Sequence, residues 1–170
     1  MIESFKINIS THLRSGWLLI LGFLICINVS HTLSFFYPNE THENSIGMGL
    51  ILFIVFVLPG VVIHISYYLV NRGDVLKYCV QQRKIHFTHQ NHTDTFSLDD
   101  VSLIERFISF NQAAGRSSVL LWDGYHHSVI YLKNGKIFTI TSLLMPDLDF
   151  PIEKEKIMLK ENFFRLAKIR

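Results

Sequence analysis

The sequence predicts an α+β protein, in which a two-helix transmembrane hairpin is followed by an antiparallel β-barrel or sandwich with a C-terminal α-helix. Three observations predict it: two long apolar stretches without charge, a following region of alternating polarity, and a last segment with helical spacing. The 170 residues suffice for one modest domain. The 49% hydrophobic content excludes intrinsic disorder, and two cysteines are too few for a disulfide-stapled secreted fold. A net charge of +2 does not indicate a nucleic-acid partner.

The first half of the chain contains two apolar stretches. Neither residues 15–39 nor residues 44–71 include a Lys, Arg, Asp or Glu, and a helix needs roughly 20 apolar residues to cross a bilayer. We therefore predict spans at about residues 16–37 and 46–70. The alternative is a pair of buried core helices, but the remaining chain is too short to cover both. Because no small-residue cleavage site follows Ile27, we expect a retained helix rather than a signal peptide.

Basic residues flank the two stretches and are absent from the connector. Residues 38–45 hold Glu40 and Glu43 but no Lys or Arg, and the cations lie outside the hairpin, at Lys6, Arg14, Arg72, Lys77, Arg83 and Lys84. The positive-inside rule then predicts an inner (plasma) membrane protein, multi-pass, with both termini cytoplasmic. We expect residues 1–71 to form the cytosolic N-terminus and hairpin, and residues 72–170 to form a cytosolic domain.

A proline–glycine pair and two histidines interrupt the apolar stretches. Pro59-Gly60 predicts a kink, because proline removes a backbone hydrogen bond. His31 and His64 are consistent either with proton or ion handling or with positions near the two membrane interfaces. We favour the interfacial positions, since His31 lies toward the outer end of its span and His64 toward the inner end.

The second half of the chain has a period-two pattern that predicts an antiparallel meander. Tight-turn signals are expected at Asp123-Gly124 and at residues 133–136. The predicted strands are Val75–Val80, Lys84–His89, Thr93–Leu98, Ser102–Phe110, Val119–Trp122, Tyr125–Leu132 and Ile137–Thr141.

The last segment, Ile152–Ile169, repeats apolar residues at helical spacing and is rich in lysine. It predicts an α-helix whose apolar face includes Leu159, Phe163 and Leu166. Such a helix either packs on the sheet or lies on anionic membrane. We expect it to pack on the sheet and to plug one end of the barrel.

Two stretches carry a resemblance to a known family. Phe96–Ile104 reads as a strand end, a bend and the next strand, and Ser128–Thr141 reads as a hairpin. With the order of elements, they resemble bacterial membrane-anchored PH-like (pleckstrin-homology-like) domain proteins, in which two transmembrane helices precede a cytosolic PH-like domain. The resemblance implies a binding or scaffolding module.

The residues that catalysis or metal binding would use do not form a recognisable constellation. His86, His89 and His92 invite a metal site, but on a strand the first two point to opposite faces, as do the adjacent His126 and His127. Phosphate-loop, nucleophile-elbow and zinc-protease motifs are absent from the sequence. Asp99 and Asp100 predict a cap rather than an acid/base pair, and Cys79 is predicted in the core. We therefore assign no catalytic, cofactor-binding or metal-ligating residue and expect no cofactor and no enzyme activity.

The function predicted from these features is recognition at the membrane. We expect a non-enzymatic integral membrane protein that presents its PH-like module to a protein partner or to lipid, with anionic lipid as one candidate and nucleic acid excluded. Two alternatives remain. One is an immunity protein that neutralises a membrane-acting antibacterial toxin, and the other is an accessory subunit of a membrane transporter or enzyme.

Overall fold

The computed structural model describes residues 2–36, 42–90, 92–146 and 150–167, in which two long apolar helices accompany two four-stranded sheets. The end of the predicted first span at Tyr37, residues 38–41 of the connector and the end of the predicted C-terminal helix at residues 168–169 lie outside these ranges. The helices are α1 (Ile9–Phe36), α2 (His42–Leu52), α3 (Leu58–Asn71) and the short α4 (Phe110–Ala113). The strands are β1 (Ile2–Lys6), β2 (Val75–Cys79), β3 (Lys84–His89), β4 (His92–Ser97), β5 (Val101–Ile108), β6 (His127–Leu132), β7 (Ile137–Thr141) and β8 (Ile157–Glu161).

Helix α1 packs closely against α2 at a glycine. A Cβ atom at Gly49 would lie 1.9 Å from Ser30 Oγ and 3.1 Å from the Cys26 carbonyl oxygen, so the two backbones approach only because Gly49 has no side chain. Ser30 Oγ donates to that same carbonyl at 3.1 Å and keeps its hydroxyl paired within its own helix. Small residues at helix contacts are typical of membrane-spanning pairs.

The second apolar stretch is continuous but irregular. Between α2 and α3 the hydrogen bonding changes to π-helical over Phe53–Val57, where the Leu58 N–H donates to the Phe53 carbonyl oxygen. Pro59 follows in the first turn of α3. Because proline has no N–H to donate back along the helix, the bonding of the preceding turn rearranges. The irregularity therefore lies just before the Pro59-Gly60 pair at which a kink was predicted.

Two helical stretches, Ile9–Leu33 and Ile46–Asn71, are long and apolar enough to cross a membrane. In each, only 22% of the most apolar window is buried. Exposed large side chains run along both, among them Ile25, Leu50 and Ile65. The described chain therefore leaves most of this apolar surface uncovered, unlike the core helices of a soluble domain.

The two sheets share one hydrophobic core. The first sheet is antiparallel with strand order β1-β2-β3-β4, and the second has the order β7-β6-β5-β8. Leu76 and Ile85 from the first sheet and Ile104, Ile130 and Ile140 from the second are buried in one cluster. The described strands form two facing sheets and do not close into a barrel, so the sandwich alternative describes them.

Strands β2 to β7 confirm six of the predicted strands to within a few residues. Strand β1 was not predicted, because Ile2–Lys6 is short and lacks a clear alternation of polarity. It pairs with β2, Phe5 opposite Leu76, and the Phe5 ring packs on the core. The first sheet thus combines a strand that precedes the hairpin with strands that follow it.

The predicted C-terminal α-helix is wrong. Residues Lys154–Lys156 form a single 3₁₀ turn, and β8 then pairs in parallel with β5. The supposed plug residues Leu159, Phe163 and Leu166 are 57%, 61% and 47% exposed. The free edge of β5 offers backbone hydrogen bonds to the segment, and this tertiary pairing overrides the local helical pattern.

The glycine contact between α1 and α2 yields a test. We expect Gly49→Val to destabilise the full chain by about 1–3 kcal/mol, because the added side chain overpacks Ser30 and the Cys26 carbonyl group. The measurement is thermal unfolding in mild detergent. Gly47→Val is the matched control, since a Cβ at Gly47 meets nothing within 4 Å. Equal unfolding midpoints for the two variants would show that the close contact is absent.

Candidate functional site

The histidines of the β3–β4 hairpin have separate partners. His86 Nδ1 lies 2.8 Å from Thr95 Oγ1, and His89 Nδ1 lies 2.6 Å from Asp74 Oδ1. His92 Nε2 lies 3.6 Å from Asp94 Oδ1 on its own strand. Among the described residues, no three His, Cys, Asp or Glu side chains are placed to hold a metal ion. Each of these three histidines therefore has a different side-chain partner.

Asp99 and Asp100 occupy the short 3₁₀ turn between β4 and β5. Ser97 Oγ accepts from the Asp99 N–H, and the Asp100 carboxylate accepts from the Ser97 N–H, which together form a capping box. The predicted cap is confirmed. The side chain of Cys79 is half-buried on β2.

The end of α3 is tied to both sheets through Asn71. Its Nδ2 donates to Asp74 Oδ2 and to the Thr139 carbonyl oxygen, each at 2.9 Å, and its Oδ1 accepts from the Thr141 N–H. Asn71 and Asp74 are both buried. Between them Gly73 adopts φ +80°, a left-handed conformation that reverses the chain and favours glycine. The direction of α3 relative to the sheets is therefore fixed at its last residue.

A chain of polar side chains connects the helices to the sheets. His12 Nδ1 lies 2.9 Å from His64 Nε2, and His64 Nδ1 lies 2.7 Å from Tyr125 Oη. Tyr67 Oη lies 3.1 Å from His127 Nδ1. Burial raises the pKa of Tyr125, so its hydroxyl stays protonated and available as a donor. Each histidine ring near this junction thus has a partner from another element.

His126 and His127, which are adjacent in sequence, have different partners. The His127 ring stacks on Phe107 at 4.6 Å and faces α3, whereas His126 Nδ1 lies 3.3 Å from the Gly124 carbonyl oxygen. The sequence pattern did not show that His127 meets Tyr67, because the two residues are 60 positions apart.

The segment Val119–Trp122 is not the strand that was predicted. It is a turn held by Asp123, whose Oδ2 accepts from the backbone N–H groups of Val119 and Leu120, both at 2.9 Å, and from Asn111 Nδ2. Burial by itself would raise the pKa of Asp123, but these donors outweigh it and hold the pKa below its ordinary value. The backbone N–H groups of Val119 and Leu120 therefore bind the Asp123 carboxylate instead of a neighbouring strand.

This turn rests against glycines on the two long helices. A Cβ atom at Gly22 would lie 2.5 Å from Leu121 Cδ1, and one at Gly60 would lie 2.3 Å from Leu19 Cδ2 and 3.6 Å from Trp122 Cβ. Gly22 therefore opens the space that Leu121 occupies, and Gly60 opens the space that Leu19 occupies, with Trp122 in ordinary van der Waals contact beside it. A second buried cluster lies at this contact and consists of Leu19, Ile63, Tyr67, Trp122, Tyr125, Leu143 and Ala167.

Arg165 connects the C-terminal segment to the same turn. Its guanidinium group donates to the carbonyl oxygens of Trp122, Tyr125 and Asn162 at 2.5, 2.7 and 2.8 Å, and the side chain is buried. Burial lowers the pKa of Arg165, which starts from so high a value that the group stays charged. The sequence pattern placed Arg165 within the predicted C-terminal helix and gave no signal of this role.

A groove opens beside the first turn of α1, and its lining includes two exposed cations. It lies between β1, α1 and residues 144–146, and it measures about 1070 Å³. Lys6 and Arg14 line it together with Glu3 and the polar residues Ser4, Asn8 and Thr11. The described salt bridges include neither Lys6 nor Arg14. Their positive charges are therefore available to an anionic ligand.

A family model described as PH domain matches residues 4–151. The chain belongs to the PH domain family. The match begins in β1 and runs through both apolar helices and both sheets, whereas β8 and the Arg165 segment follow it. No curated protein and no solved structure matches the chain. PH domains commonly bind lipids or proteins.

Because Asp123 has a lowered pKa in the folded protein, the stability of the fold depends on pH. A carboxylate with a lowered pKa in the folded state stabilises the fold above its ordinary pKa of 3.8, and this contribution is lost as the pH falls through the lower folded value. We expect Asp123→Asn to be less stable than wild type at pH 7, with the difference shrinking below about pH 4. Thermal unfolding in detergent across pH measures it. Asp99→Asn at the exposed 3₁₀ turn is the control, and a gap that widens in acid contradicts the prediction.

Proposed function

We propose that this PH domain protein is a membrane-anchored recognition module, whose two apolar helices cross the inner membrane as a hairpin with both termini in the cytoplasm. Residues 16–37 and 46–70 are the proposed spans. The sheets, which draw on residues from both sides of the hairpin, lie at the cytosolic face, where they bind a partner without catalysing a reaction.

The observation that carries this proposal is the joint between the helices and the sheets. Asn71 fixes the end of α3, and Tyr67 and Leu19 enter a cluster with Trp122 and Tyr125. Because these contacts are buried, the sheets cannot swing away from the hairpin. Beyond the joint, both helices expose apolar side chains that water does not favour and a bilayer would cover.

The charges on either side of the helices support the orientation. Lys6 and Arg14 precede the first stretch and Arg72 follows the second, whereas the connector has acidic residues and no cation. The Arg72 guanidinium lies 5.9 Å from the Tyr68 ring centroid, an aromatic and a cation together at one end of a span.

Anchoring and orientation can be tested together. In a bacterial host, the full chain should stay in the membrane fraction after alkaline carbonate extraction. A C-terminal fluorescent protein should be bright and a C-terminal alkaline phosphatase inactive, because both report a cytosolic C-terminus. Release by carbonate contradicts the anchor, and strong phosphatase activity contradicts the orientation.

The proposed ligand of the basic groove is an anionic lipid headgroup. The groove begins where the chain enters the first helix, so its cations Lys6 and Arg14 lie at the level of the headgroups. A basic residue near an anionic leaflet contributes about 1 kcal/mol, and salt screens the contribution. A protein ligand is the other class that PH domains bind.

Lipid selectivity tests the groove. In mild detergent, phosphatidylglycerol should raise the unfolding midpoint of the wild type more than phosphatidylcholine does, because a ligand of the folded state stabilises it. The combined Lys6→Gln and Arg14→Gln variant should lose this difference. Lys133→Gln, in the turn between β6 and β7, should keep it. Equal effects of both lipids on the wild type would exclude a headgroup site.

A further inference from the structure

An exposed apolar edge lies beside the hairpin. We define it by Phe110, Val119, Phe163, Phe164 and Leu166, which are 64%, 77%, 61%, 55% and 47% exposed. Phe110 and Phe163 line one cavity, so the edge joins α4 to the C-terminal segment. Several large aromatic and aliphatic side chains in one exposed patch indicate a binding surface.

The edge is attached to the helices through Trp122. The Trp122 ring stacks on Phe164 at 6.3 Å and meets Phe163 edge-on at 5.9 Å, while its Cβ packs beside Gly60. Leu121, the preceding residue, packs on Gly22. Ser66 Oγ donates to the Ala167 carbonyl oxygen at 3.0 Å, so the C-terminal segment also contacts α3.

The level of these contacts along the helices sets the depth of the edge. If the first span begins at residue 16, Gly22 lies about 9 Å further into the bilayer, at a rise of about 1.5 Å per residue. If the bilayer began only after Gly22, the rest of α1 up to Phe36 would be about 21 Å long. This length is too short to cross a hydrocarbon core of about 30 Å. The turn that contacts Gly22 must therefore share the depth of the membrane.

We propose that the apolar edge is a third membrane contact, which inserts into the boundary between lipid headgroups and acyl chains on the cytosolic side. This inference rests on the proposed membrane-spanning hairpin. A depth of about 9 Å matches the 5–10 Å to which interfacial amphipathic elements insert. The occupant is lipid, because the edge rests on Trp122, which packs against the two helices whose other side chains are apolar and exposed.

The backbone behind the edge is suited to a low-dielectric environment. Polar backbone groups need partners where water is absent. Asp123 accepts the N–H groups of Val119 and Leu120, and Arg165 donates to the carbonyl oxygens of Trp122 and Asn162. Both charged side chains are buried, and they bind backbone groups of this region, Asp123 together with Asn111 Nδ2.

A cation stands next to the edge. Arg116 is exposed in the loop between α4 and the Asp123 turn, three residues before Val119. A long basic side chain at that position reaches the phosphate level while its apolar neighbours insert. Apolar residues flanked by a cation are typical of surfaces that bind the interface of an anionic bilayer.

Spin-label accessibility tests the proposal on the full chain. Single cysteines are placed by Val119→Cys and Phe163→Cys in a Cys26→Ser, Cys79→Ser background, labelled with a nitroxide, and reconstituted in phosphatidylglycerol–phosphatidylcholine vesicles. Collision rates with oxygen and with a water-soluble nickel complex distinguish lipid from water. Ile25→Cys, in the first apolar helix, reports lipid, and Lys133→Cys, on the far turn of the second sheet, reports water.

We expect both edge labels to collide with oxygen as the Ile25 label does and to show a several-fold lower nickel collision rate than the Lys133 label. Nickel accessibility equal to that of Lys133 would place the edge in water and overturn the inference, and so would low accessibility to both reagents, which indicates cover by protein. If the Ile25 label itself reports water, the hairpin does not span the bilayer and the proposed function fails as well. An Ile25 label in lipid with edge labels in water overturns the third contact alone.

Discussion

Tyr67 packs where the second apolar helix meets the second sheet, and the arrangement of the molecule depends on this contact. The side chain is fully buried, its ring meets Tyr125 edge-on at 5.6 Å and His127 edge-on at 5.7 Å, and its hydroxyl pairs with His127. A tyrosine suits such a place, since its ring fills an apolar cluster while its hydroxyl reaches a polar partner. The ring contacts hold the helix against the sheet, and the directional hydrogen bond between the Tyr67 hydroxyl and His127 fixes its orientation.

Three buried polar side chains extend this joint, each by using backbone groups as partners. Asn71 holds the end of α3, Asp123 holds the turn that touches the helices, and Arg165 holds the C-terminal segment to that turn. A buried polar group without partners costs about 1–3 kcal/mol, so each arrangement is favourable only in the native geometry. These residues specify the relative positions of segments that apolar packing alone would leave adjustable.

A rigid joint has a consequence for recognition at a membrane. In the proposed membrane arrangement, the two helices restrict the module to one plane, and the fixed angle at Asn71 and Tyr67 restricts which face of the sheets meets the headgroups. The basic groove at Lys6 and Arg14 and the apolar edge around Phe163 then keep constant depths relative to the hairpin. Binding in such a geometry loses less orientational freedom than binding by a tethered, freely rotating domain.

The sequence by itself determined the features that are local or periodic. The charge-free stretches predicted both long helices, alternation of polarity predicted β2 to β7, and Ser97-Leu98-Asp99-Asp100 predicted its cap. Only the tertiary structure decided the rest. Strands β1 and β8 exist because β2 and β5 offer free edges, and hydrogen bonds to those edges outweigh weak or contrary local preferences. The joint was equally hidden, since Tyr67 and His127, or Arg165 and Trp122, meet across separations that no pattern of neighbouring residues records. Periodicity reports which face of an element is apolar, whereas the partner of a buried polar atom depends on where the whole chain has folded.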